Sequence, residues 1–562
     1  MTAAAVGDVA GGPAVPAAGL AERLVKSLDP EQRAAATLPD GPALIIAPAG
    51  SGKTTTLIAR LGVLLSRGVA PERIAVATFN RDAALELSAR IRRRVVPTVP
   101  DAARIEVRTL HALARQVLLE RGGGRILVSD RLPLLRAVLR RAAARGGPDD
   151  PPLPDAAMLD TVVSAWKVER RPPAQPALVD EYQALLATRG AVDFDDLVVG
   201  AADALESDPE LRLGWQSRFS HVCVDEFQDV DAAQLRLVRL LAEPEGNLFV
   251  VGDDDQTIYA WRLADVRRIL TFESAYPRAR RVQLATNYRC PAPVVAISRR
   301  LIGVNRERFA KRIDPAPAAA SGPEAVQAVS TVGPDWADGL ALLAAHEATA
   351  GRSICFLSRT RAELGPMLLA LARLGQPHTT SVPAAVQSEH VTRLVAAARA
   401  VPPHEHPFEV LGSLRAGHGW RRRDGSDALG DDDHASLDAL LGWAVGFRRL
   451  DRFLEAHDRA VARLAALRVP DALVELVTVH GAKGREWQTV VVLGMEEERF
   501  PNRRALVDAA DPERAVEEER RLAYVALTRP TDRLILAFDP SRPSRFLAEM
   551  GLVPPVVGPR RG

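Results

Sequence analysis

Short, continuously apolar runs alternate along most of the chain with longer stretches of helical periodicity. Runs that are apolar at every position, rather than at every second one, are typical of parallel strands covered by helices on both faces. The pattern therefore predicts an α/β fold. The runs that predict strands are Ala43–Ala47, Ile74–Thr78, His221–Val224, Leu248–Gly252, Val282–Ala285, Ser353–Leu357, Leu473–Val479, Thr489–Gly494 and Leu534–Phe538.

Two stretches interrupt this alternation and have mainly helical patterns: residues 111–190 and residues 386–470. We therefore expect two strand-rich cores, each carrying a helical insertion. The predicted organisation is a disordered tail (1–24), a first core in two parts (25–110 and 191–289) around its insertion (111–190), a second core in two parts (290–385 and 471–550) around a smaller insertion (386–470), and a second tail (551–562).

The composition is that of an ordinary globular protein with several domains. Its 562 residues include 73 Lys and Arg against 71 Asp and Glu, which argues against a polybasic membrane binder but is compatible with a local basic groove. Three cysteines are too few for a disulfide framework or a four-cysteine metal site. Because we find no secretory signal and no apolar run long enough to cross a bilayer, we expect a cytoplasmic protein without a membrane partner.

A glycine-rich loop follows the first predicted strand and precedes a helical pattern; it reads Ala47-Pro-Ala-Gly-Ser-Gly-Lys-Thr54. In such a loop, backbone N–H groups and the helix N-terminus surround phosphate oxygens, Lys53 reaches the β- and γ-phosphates, and the Thr54 hydroxyl binds Mg²⁺. Ala47 stands where the usual motif has its first glycine. The alternative is a chance glycine-rich turn. Because only five of the 73 basic residues are lysines, a lysine at this position favours the phosphate loop.

Two carboxylates end another predicted strand, in the segment His221-Val-Cys-Val-Asp-Glu-Phe-Gln-Asp229. In a phosphoryl-transfer site, Asp225 would hold Mg²⁺ and Glu226 would orient and deprotonate the attacking water. An Asp-Glu pair on its own is more often part of a solvated loop. Together with the phosphate loop, the pair favours an ATPase.

A series of motifs, in one order from residue 28 to about residue 540, resembles the UvrD/Rep group of superfamily 1 DNA helicases. Each motif is moderately specific, whereas the ordered series is highly specific. The segments that carry the resemblance are Leu28–Gln32, Thr78–Ala84, Thr109–His111, Val192–Leu197, Asp225–Asp229, Val251–Arg262, Asn287–Arg289, Thr478–Glu486 and Glu518–Arg529.

The resemblance implies two RecA-like P-loop cores with parallel sheets, which bind ATP and Mg²⁺. It implies that Gln32 pairs with the adenine edge, that Tyr288 stacks on adenine and that Glu486 contacts the ribose. The implied ATP-binding residues are Gln32, Ala47, Pro48, Ala49, Gly50, Ser51, Gly52, Lys53, Thr54, Tyr288, Arg289, Glu486 and Arg529, with Thr54 and Asp225 as the metal ligands.

The same resemblance assigns the catalytic roles. Gln256 would link the γ-phosphate to the DNA side. Arg289 and Arg529 would bring positive charge to the γ-phosphate from the second core, as a loose phosphoryl-transfer transition state requires. The implied catalytic residues are Glu226, Lys53, Gln256, Arg289 and Arg529.

Aromatic residues make up only 5% of the chain, yet Phe79, Tyr259 and Trp261 all fall inside these motifs. Stacking of bases on aromatic rings is indifferent to sequence, which suits a protein that moves along single-stranded DNA. Without the motifs, core packing would be the simpler interpretation of Tyr259 and Trp261, and a buried histidine that of His480. The implied DNA-binding residues are Thr78, Phe79, His111, Tyr259, Trp261, Arg262 and His480.

Between Arg289 and Thr478 fewer than 190 residues hold part of the second core and its insertion. The resemblance implies a much larger accessory module there, so we expect a reduced one. The sequence therefore predicts an ATP-dependent DNA helicase that moves 3′→5′ on single-stranded DNA, engages junctions with duplex DNA and acts in DNA repair or replication. Two alternatives stay open: a single-strand translocase that removes bound proteins with little unwinding, and a DNA-binding scaffold with a vestigial ATPase.

Overall fold

The structure is a computed structural model that describes residues 15–122, 124–146, 152–243, 246–319, 322–333, 335–381, 387–417, 431–507 and 509–552. The chain forms two compact units: Met1–Thr286 with Glu307–Arg312, and Asn287–Arg306 with Ile313–Gly562. The units divide three residues before the predicted boundary at residue 289. The sequence pattern gives no sign of the segment Glu307–Arg312, which belongs to the first unit.

Parallel strands form the sheet of the first unit. The strands are β1 (Ala43–Ile46), β2 (Ile74–Thr78), β3 (Glu106–Thr109), β4 (Ile126–Leu127), β5 (Ala191–Val192), β6 (His221–Val224), β7 (Leu248–Gly252) and β8 (Arg280–Gln283). Six of them make one sheet in the order β3-β2-β6-β7-β1-β8, and every neighbouring pair is parallel. Because parallel strands end at the same edge, the segments that follow β1, β6 and β7 meet there.

Helices cover this sheet and extend beyond it. They are α1 (Val15–Lys26), α2 (Pro30–Ala36), α3 (Lys53–Ser66), α4 (Arg81–Arg94), α5 (Leu110–Glu120), α6 (Leu132–Arg145), α7 (Ala156–Glu169), α8 (Pro176–Thr188), α9 (Phe194–Ser207), α10 (Pro209–Arg218), α11 (Ala232–Ala242), α12 (Arg267–Leu270) and α13 (Phe272–Ala275). Several begin at a side chain that accepts a hydrogen bond from the first turn; Asp193 and Asp231 each do so in a capping box.

Both faces of the first sheet are buried, which explains the continuously apolar runs. On one face Ile45 and Val76 pack with residues of α1, α3 and α4. On the other face Leu44 and Val224 pack with residues of α5, α9 and α11. Alternate residues of each strand therefore belong to two separate hydrophobic cores.

The helical insertion of the first unit has its own small core, formed by α6, α7 and α8 around Tyr182 and Val163. The predicted insertion, 111–190, begins too early. Leu113 and Val117 of α5 belong to the core of the sheet. Helical periodicity shows that a segment has an apolar face, but not which core that face covers.

The predicted disordered tail over residues 1–24 is wrong for residues 15–24, which form most of α1. Leu20 is fully buried in the core beneath α3, and Leu24 lies 2.7 Å from where a Cβ at Gly62 would stand. A short apolar face on an Ala-rich segment is enough to dock a helix on a neighbour. Residues 1–14 and most of the predicted tail 551–562 lie outside the described residues.

The second unit has a parallel sheet of the same size, in which the strands lie side by side in the order 326–330, 530–538, 487–493, 354–358, 474–478 and 379–380. Ile354 and Phe356 face one core, together with the helices over 336–349, 365–374 and 450–467, while Cys355 and Leu357 are also fully buried. The strands from the division between the units onward are β9 (Thr286–Asn287), β10 (Asp314–Pro315), β11 (Val326–Ser330), β12 (Ile354–Ser358), β13 (Thr379–Thr380), β14 (Val474–Thr478), β15 (Trp487–Leu493) and β16 (Pro530–Phe538). The helices are α14 (Ala292–Ile302), α15 (Trp336–Thr349), α16 (Gly365–Leu374), α17 (Glu389–Ala398), α18 (Pro407–Gly417), α19 (Asp431–Ala444), α20 (Leu450–Leu467), α21 (Arg503–Val507), α22 (Pro512–Leu527) and α23 (Arg545–Glu549).

In the stretch predicted as the second insertion, α17 to α20 form a core of their own around Leu394, Leu440 and Phe453. The middle of this stretch, residues 418–430, lies outside the described residues. The predicted α/β fold with two parallel sheets is confirmed. None of the helices in the described part of the chain is long and apolar enough to cross a membrane.

Candidate functional site

The glycine-rich loop joins the end of β1 to the first turn of α3. Gly50 (φ 70°) and Gly52 (φ 82°) adopt the left-handed backbone conformation, which residues with a Cβ rarely take. Lys53 folds back over the loop, and its Nζ donates a hydrogen bond to the carbonyl oxygen of Ala47 at 3.0 Å. The lysine ammonium is thus held against the backbone at the start of the loop. The buried loop residues are Ala47, Pro48, Ala49 and Ser51.

The loop and the start of α3 fit a triphosphate. Gly52 is the N-cap of α3 and, having no side chain, gives the first turn no side-chain hydrogen bond. The Ser51 hydroxyl oxygen is buried and accepts no hydrogen bond within the described part of the chain. N–H groups at a helix start without a side-chain cap attract phosphate by hydrogen bonding and through the helix dipole.

Gln32, the candidate adenine reader, is buried against this loop at the start of α2. Its side-chain Nε2 donates to the Ser51 carbonyl oxygen at 2.9 Å, and its Oε1 accepts from the Asp29 backbone N–H at 3.3 Å. The Gln32 backbone N–H in turn donates to Asp29 Oδ1 at 2.7 Å. The capping box therefore fixes the Gln32 amide beside the phosphate loop.

Asp225 and Glu226 stand at the end of β6. Glu226 has a positive φ of 52°, and its backbone N–H donates to Asp225 Oδ1 at 3.0 Å. Burial and the negative charge of Glu226 raise the pKa of Asp225 to about 7, against the opposing effect of Lys53. The two carboxylates and the lysine therefore lie close enough to influence one another's charge.

The residues proposed for Mg²⁺ fit that ion chemically. A hydroxyl at Thr54 and a carboxylate at Asp225 are the hard oxygen donors that Mg²⁺ prefers. Mg²⁺ in nucleotide sites takes most of its other ligands from phosphate and water. A cation beside Asp225 would also relieve the repulsion from Glu226 that raises the pKa of Asp225.

A row of hydrogen bonds connects Glu226 to Gln256. Gln228 donates from Nε2 to Glu226 Oε2 and accepts at Oε1 from the Asp253 backbone N–H, at 2.9 Å. Asp253 Oδ2 then accepts from Gln256 Nε2 at 2.6 Å. Gly252, at the end of β7, allows this approach, because a Cβ there would stand 2.7 Å from Gln228 Oε1. The ends of β6 and β7 are thus joined through side chains that the sequence assigned to different motifs.

In the second unit, Arg289, Glu486 and Arg529 form one cluster. Arg289 Nε donates to Glu486 Oε2 at 2.7 Å, and Arg289 Nη1 donates to the Thr528 carbonyl oxygen at 3.2 Å. Arg529 is buried and donates from Nη2 to the Thr528 hydroxyl at 3.1 Å. Tyr288, which precedes Arg289, is 51% exposed. Four residues that the sequence implies for ATP therefore lie together at one place in the second unit.

Three candidate DNA-binding residues form a continuous aromatic row in the first unit. The rings of Phe79 and Tyr259 are stacked, with centroids 4.8 Å apart and planes at 21°. Trp261 stands edge-on to Tyr259 at 6.3 Å and is 55% exposed. The Arg262 guanidinium lies 4.7 Å from the centroid of the Trp261 ring. Exposure of the largest ring contradicts simple core packing for Trp261.

His111 and a residue that the sequence reasoning missed lie near the same row. His111 stands edge-on to Phe194 at 5.5 Å, and Phe194 is 42% exposed. Burial lowers the pKa of His111, opposed by Asp195, and Arg262 lowers it further. In the sequence, Phe194 directly follows the helix cap Asp193, and this position alone suggests a structural role. Only the structure shows that its ring is exposed.

Two other candidate DNA-binding residues have more structural surroundings. Thr78 is buried, and its hydroxyl donates to the Asn80 carbonyl oxygen at 3.1 Å, so that it shapes the turn that carries Phe79. His480 is half-buried in the short 3₁₀ turn Val479–Ala482 of the second unit, directly after β14.

Comparison with known proteins shows the family of the chain. The model of the UvrD/REP helicase N-terminal domain matches residues 28–126 and 160–277, and that of the UvrD-like helicase C-terminal domain matches residues 450–540. The ATP-dependent DNA helicase UvrD2 of Mycobacterium tuberculosis (strain H37Rv) is 30% identical, over 93% of this chain and 81% of that protein. The chain belongs to the UvrD/REP helicase family.

Other relatives include the ATP-dependent DNA helicase PcrA of Staphylococcus epidermidis (strain RP62A), 28% identical over 94% of this chain and 87% of that protein. The putative ATP-dependent DNA helicase YjcD of Bacillus subtilis (strain 168) is 28% identical over 92% of this chain and 79% of its own length. Family membership confirms the predicted resemblance and the two RecA-like cores. Between them the two family models leave residues 278–449 unmatched, which include residues 386–449 of the predicted reduced insertion; its last part, 450–470, is matched.

Proposed function

We propose that this UvrD/REP-family helicase uses ATP hydrolysis to move 3′→5′ along single-stranded DNA and to separate strands at junctions with duplex DNA. The observation that carries the proposal is the hydrogen-bonded connection from Glu226 to Gln256, on the same unit as the exposed aromatic row. It supplies a physical route by which the state of a nucleotide can influence residues near DNA. A role in DNA repair or replication is part of the proposal.

In the proposed reaction, the phosphate loop holds ATP and Glu226 accepts a proton from the attacking water. Lys53 stabilises charge on the β- and γ-phosphates, and Gln256 is placed to respond to the γ-phosphate. Bound Mg²⁺, held through Thr54 and Asp225, would neutralise phosphate charge. The left-handed backbone at Glu226 supports the assignment, because such conformations concentrate at functional sites.

Arg289 and Arg529 of the second unit are proposed to add positive charge at the γ-phosphate, with Glu486 contacting the ribose and Tyr288 the adenine. Their support is local. Thr528 accepts a hydrogen bond from each guanidinium, from Arg289 at its carbonyl oxygen and from Arg529 at its hydroxyl, and Glu486 accepts from Arg289. Two fixed guanidiniums suit a transition state whose charge is spread over three equatorial oxygens.

DNA is proposed to stack on Phe79, Tyr259 and Trp261, with Arg262, His111 and His480 at its backbone. Stacking on a row of rings holds single strands of any sequence, and domain motions driven by ATP would shift the bases by steps. The turn that holds Gln256 is only a few residues from Tyr259 along the chain. A change at Gln256 therefore reaches the aromatic row over a short path.

Strand displacement tests the proposal. The substrates are a short duplex with a 3′ single-stranded tail and the same duplex with a 5′ tail, with Glu226→Gln as the inactive control. We expect ATP-dependent displacement of the 3′-tailed substrate by the wild type only. Preference for the 5′-tailed substrate would contradict the proposed direction. ATP-driven movement without displacement would favour the alternative, a translocase that removes bound proteins, to which a small insertion with its own four-helix core also points.

A further inference from the structure

Lys311 is a fully buried charged side chain near the candidate ATPase residues. Its side chain is fully buried, and its Nζ lies 2.6 Å from Asp253 Oδ1 and 2.9 Å from Asp255 Oδ2. It also forms an ion pair with Asp254. One ammonium therefore holds three successive aspartates of the turn between β7 and Gln256.

The residues around Lys311 strengthen the same contact. Arg308 makes a two-pronged ion pair with Asp255, with Nε–Oδ1 at 2.9 Å and Nη2–Oδ2 at 2.7 Å. The Phe309 backbone N–H donates to Asp254 Oδ2 at 2.8 Å. The segment Glu307–Arg312 thus binds every member of the aspartate turn, and we refer to it as the return segment.

The path of the chain makes this arrangement unusual. The return segment belongs to the first unit, whereas the residues directly before it, Asn287–Arg306, and directly after it, from Ile313 onward, belong to the second unit. Six residues therefore leave the second unit and are fixed to the first by buried ion pairs. Burial of a charged group destabilises the folded state unless the group is fully paired. The buried ion pairs of the return segment are therefore a specific feature of this fold.

Asp253 connects this clamp to the ATPase residues. Its Oδ1 accepts from Lys311, while its Oδ2 accepts from Gln256 Nε2 at 2.6 Å. Its backbone N–H donates to Gln228, which in turn donates to Glu226. The carboxylate that orients Gln256 is therefore itself oriented by Lys311.

We infer that Lys311 is a positioning residue for ATP hydrolysis: through Asp253 it fixes the Gln256 amide where it can respond to the γ-phosphate. The inference rests on the proposed function. Without the ammonium, Asp253 Oδ1 would keep only the Asp255 backbone N–H, at 3.2 Å. We expect the carboxylate then to rotate and the Gln256 amide to move with it. Displacement of a catalytic group by about 1 Å is enough to slow a reaction by roughly 100-fold. The return segment would also connect the aspartate turn directly to the chain on either side of it, which belongs to the second unit.

Lys311→Met and Lys167→Met form a matched pair of variants. Lys167 is also buried in an aspartate cluster of the first unit, with Nζ 2.7 Å from Asp193 Oδ2 and 2.8 Å from Asp196 Oδ1 at the start of α9. Each substitution removes a buried ammonium from carboxylates, so each should lower the midpoint of thermal unfolding. Only the first changes the group that orients Gln256.

The measurements are ATP hydrolysis by the full-length chain without DNA, the Kd for a fluorescent ATP analogue, and thermal unfolding. We expect Lys311→Met to lower kcat by about 10- to 100-fold with the Kd changed by less than about threefold. Lys167→Met should keep kcat within about threefold of the wild type. Wild-type kcat in folded Lys311→Met, or equal losses in both variants, would overturn the inference. A wild type that hydrolyses no more ATP than Glu226→Gln would overturn the proposed function itself.

Lys311→Arg keeps the charge and serves as the second variant if Lys311→Met does not fold. The bulkier guanidinium is expected to shift Asp253 and reduce kcat by about threefold to tenfold. In a Gln256→Ala background the same substitution should reduce kcat by less than about twofold, because Lys311 acts through Gln256. Losses that multiply in the double variant would show that Lys311 acts independently of Gln256 and would overturn the inference.

Discussion

Glu226, the proposed acceptor of the water proton, has an uncommon backbone conformation. It is one of five non-glycine residues with positive φ in the described part of the chain, and it directly follows the buried strand β6. A hydrogen bond to Asp225 and another from Gln228 hold it there. Such a conformation costs about 1–3 kcal/mol and persists only where surrounding contacts determine it. The conformation of Glu226 therefore lowers the stability of the folded state, and in return it fixes the position of the Glu226 carboxylate.

At the same scale, Trp261→Ala tests the aromatic row. Removal of one stacking platform should weaken binding of single-stranded DNA by about 1–3 kcal/mol, and ATP hydrolysis without DNA should stay near the wild-type rate. Fluorescence anisotropy with a labelled oligothymidylate measures the first and a coupled ATPase assay the second. Phe408→Ala is the control, because Phe408 is 44% exposed on α18, outside the row. Equal losses of DNA binding and basal hydrolysis would contradict a stacking role.

Among the elements, the loop between β1 and α3 depends most on one residue type. At Gly52 the backbone conformation favours glycine, since φ is +82°. A Cβ there would stand 2.5 Å from Gln32 Nε2, so that the Gln32 amide would have to shift. The capping box that fixes Gln32 and the phosphate loop therefore pack against each other.

Gly52→Ala should displace Gln32 and strain the loop. We expect a loss of about 1–3 kcal/mol in the free energy of unfolding and ATP binding at least about tenfold weaker. Denaturant unfolding and titration with a fluorescent ATP analogue check these two quantities. Gly214→Ala in α10, where a Cβ meets nothing within 4 Å, should leave both unchanged or raise stability slightly. Wild-type ATP affinity in Gly52→Ala would show that the loop tolerates a Cβ.

Elements at the centres of the sheets are predicted well from the sequence, and those at the edges poorly. β2 and β6 have the predicted bounds, because the side chains on both faces of these strands are buried. β3 and β11 are edge strands with exposed or half-buried positions, and their mixed polarity hides them. β8, also at an edge, begins two residues before the predicted run. The pattern of hydrophobic residues reports burial, and edge strands are only partly buried.

Over the whole molecule, the motifs propose site residues but do not indicate which side chains position them. Lys53, Asp225 and Gln256 are proposed from their motifs, and all three lie in the first unit. Lys311 has no motif context in the sequence. Its contact with Asp253 connects positions 58 residues apart and becomes visible only once the return segment is seen to belong to the first unit. Long-range pairing of charges leaves no periodic signal, so sequence pattern alone does not reveal it.

The central claim is that this molecule couples ATP hydrolysis at Glu226 to single-stranded DNA. The most direct measurement is the steady-state rate of ATP hydrolysis with and without a long single-stranded DNA, for the wild type and for Glu226→Gln. We expect DNA to stimulate the wild type by at least about tenfold, and Glu226→Gln to retain ATP binding while its turnover falls by about 100-fold or more. Turnover in Glu226→Gln equal to that of the wild type, or a wild-type rate indifferent to DNA, would contradict the account.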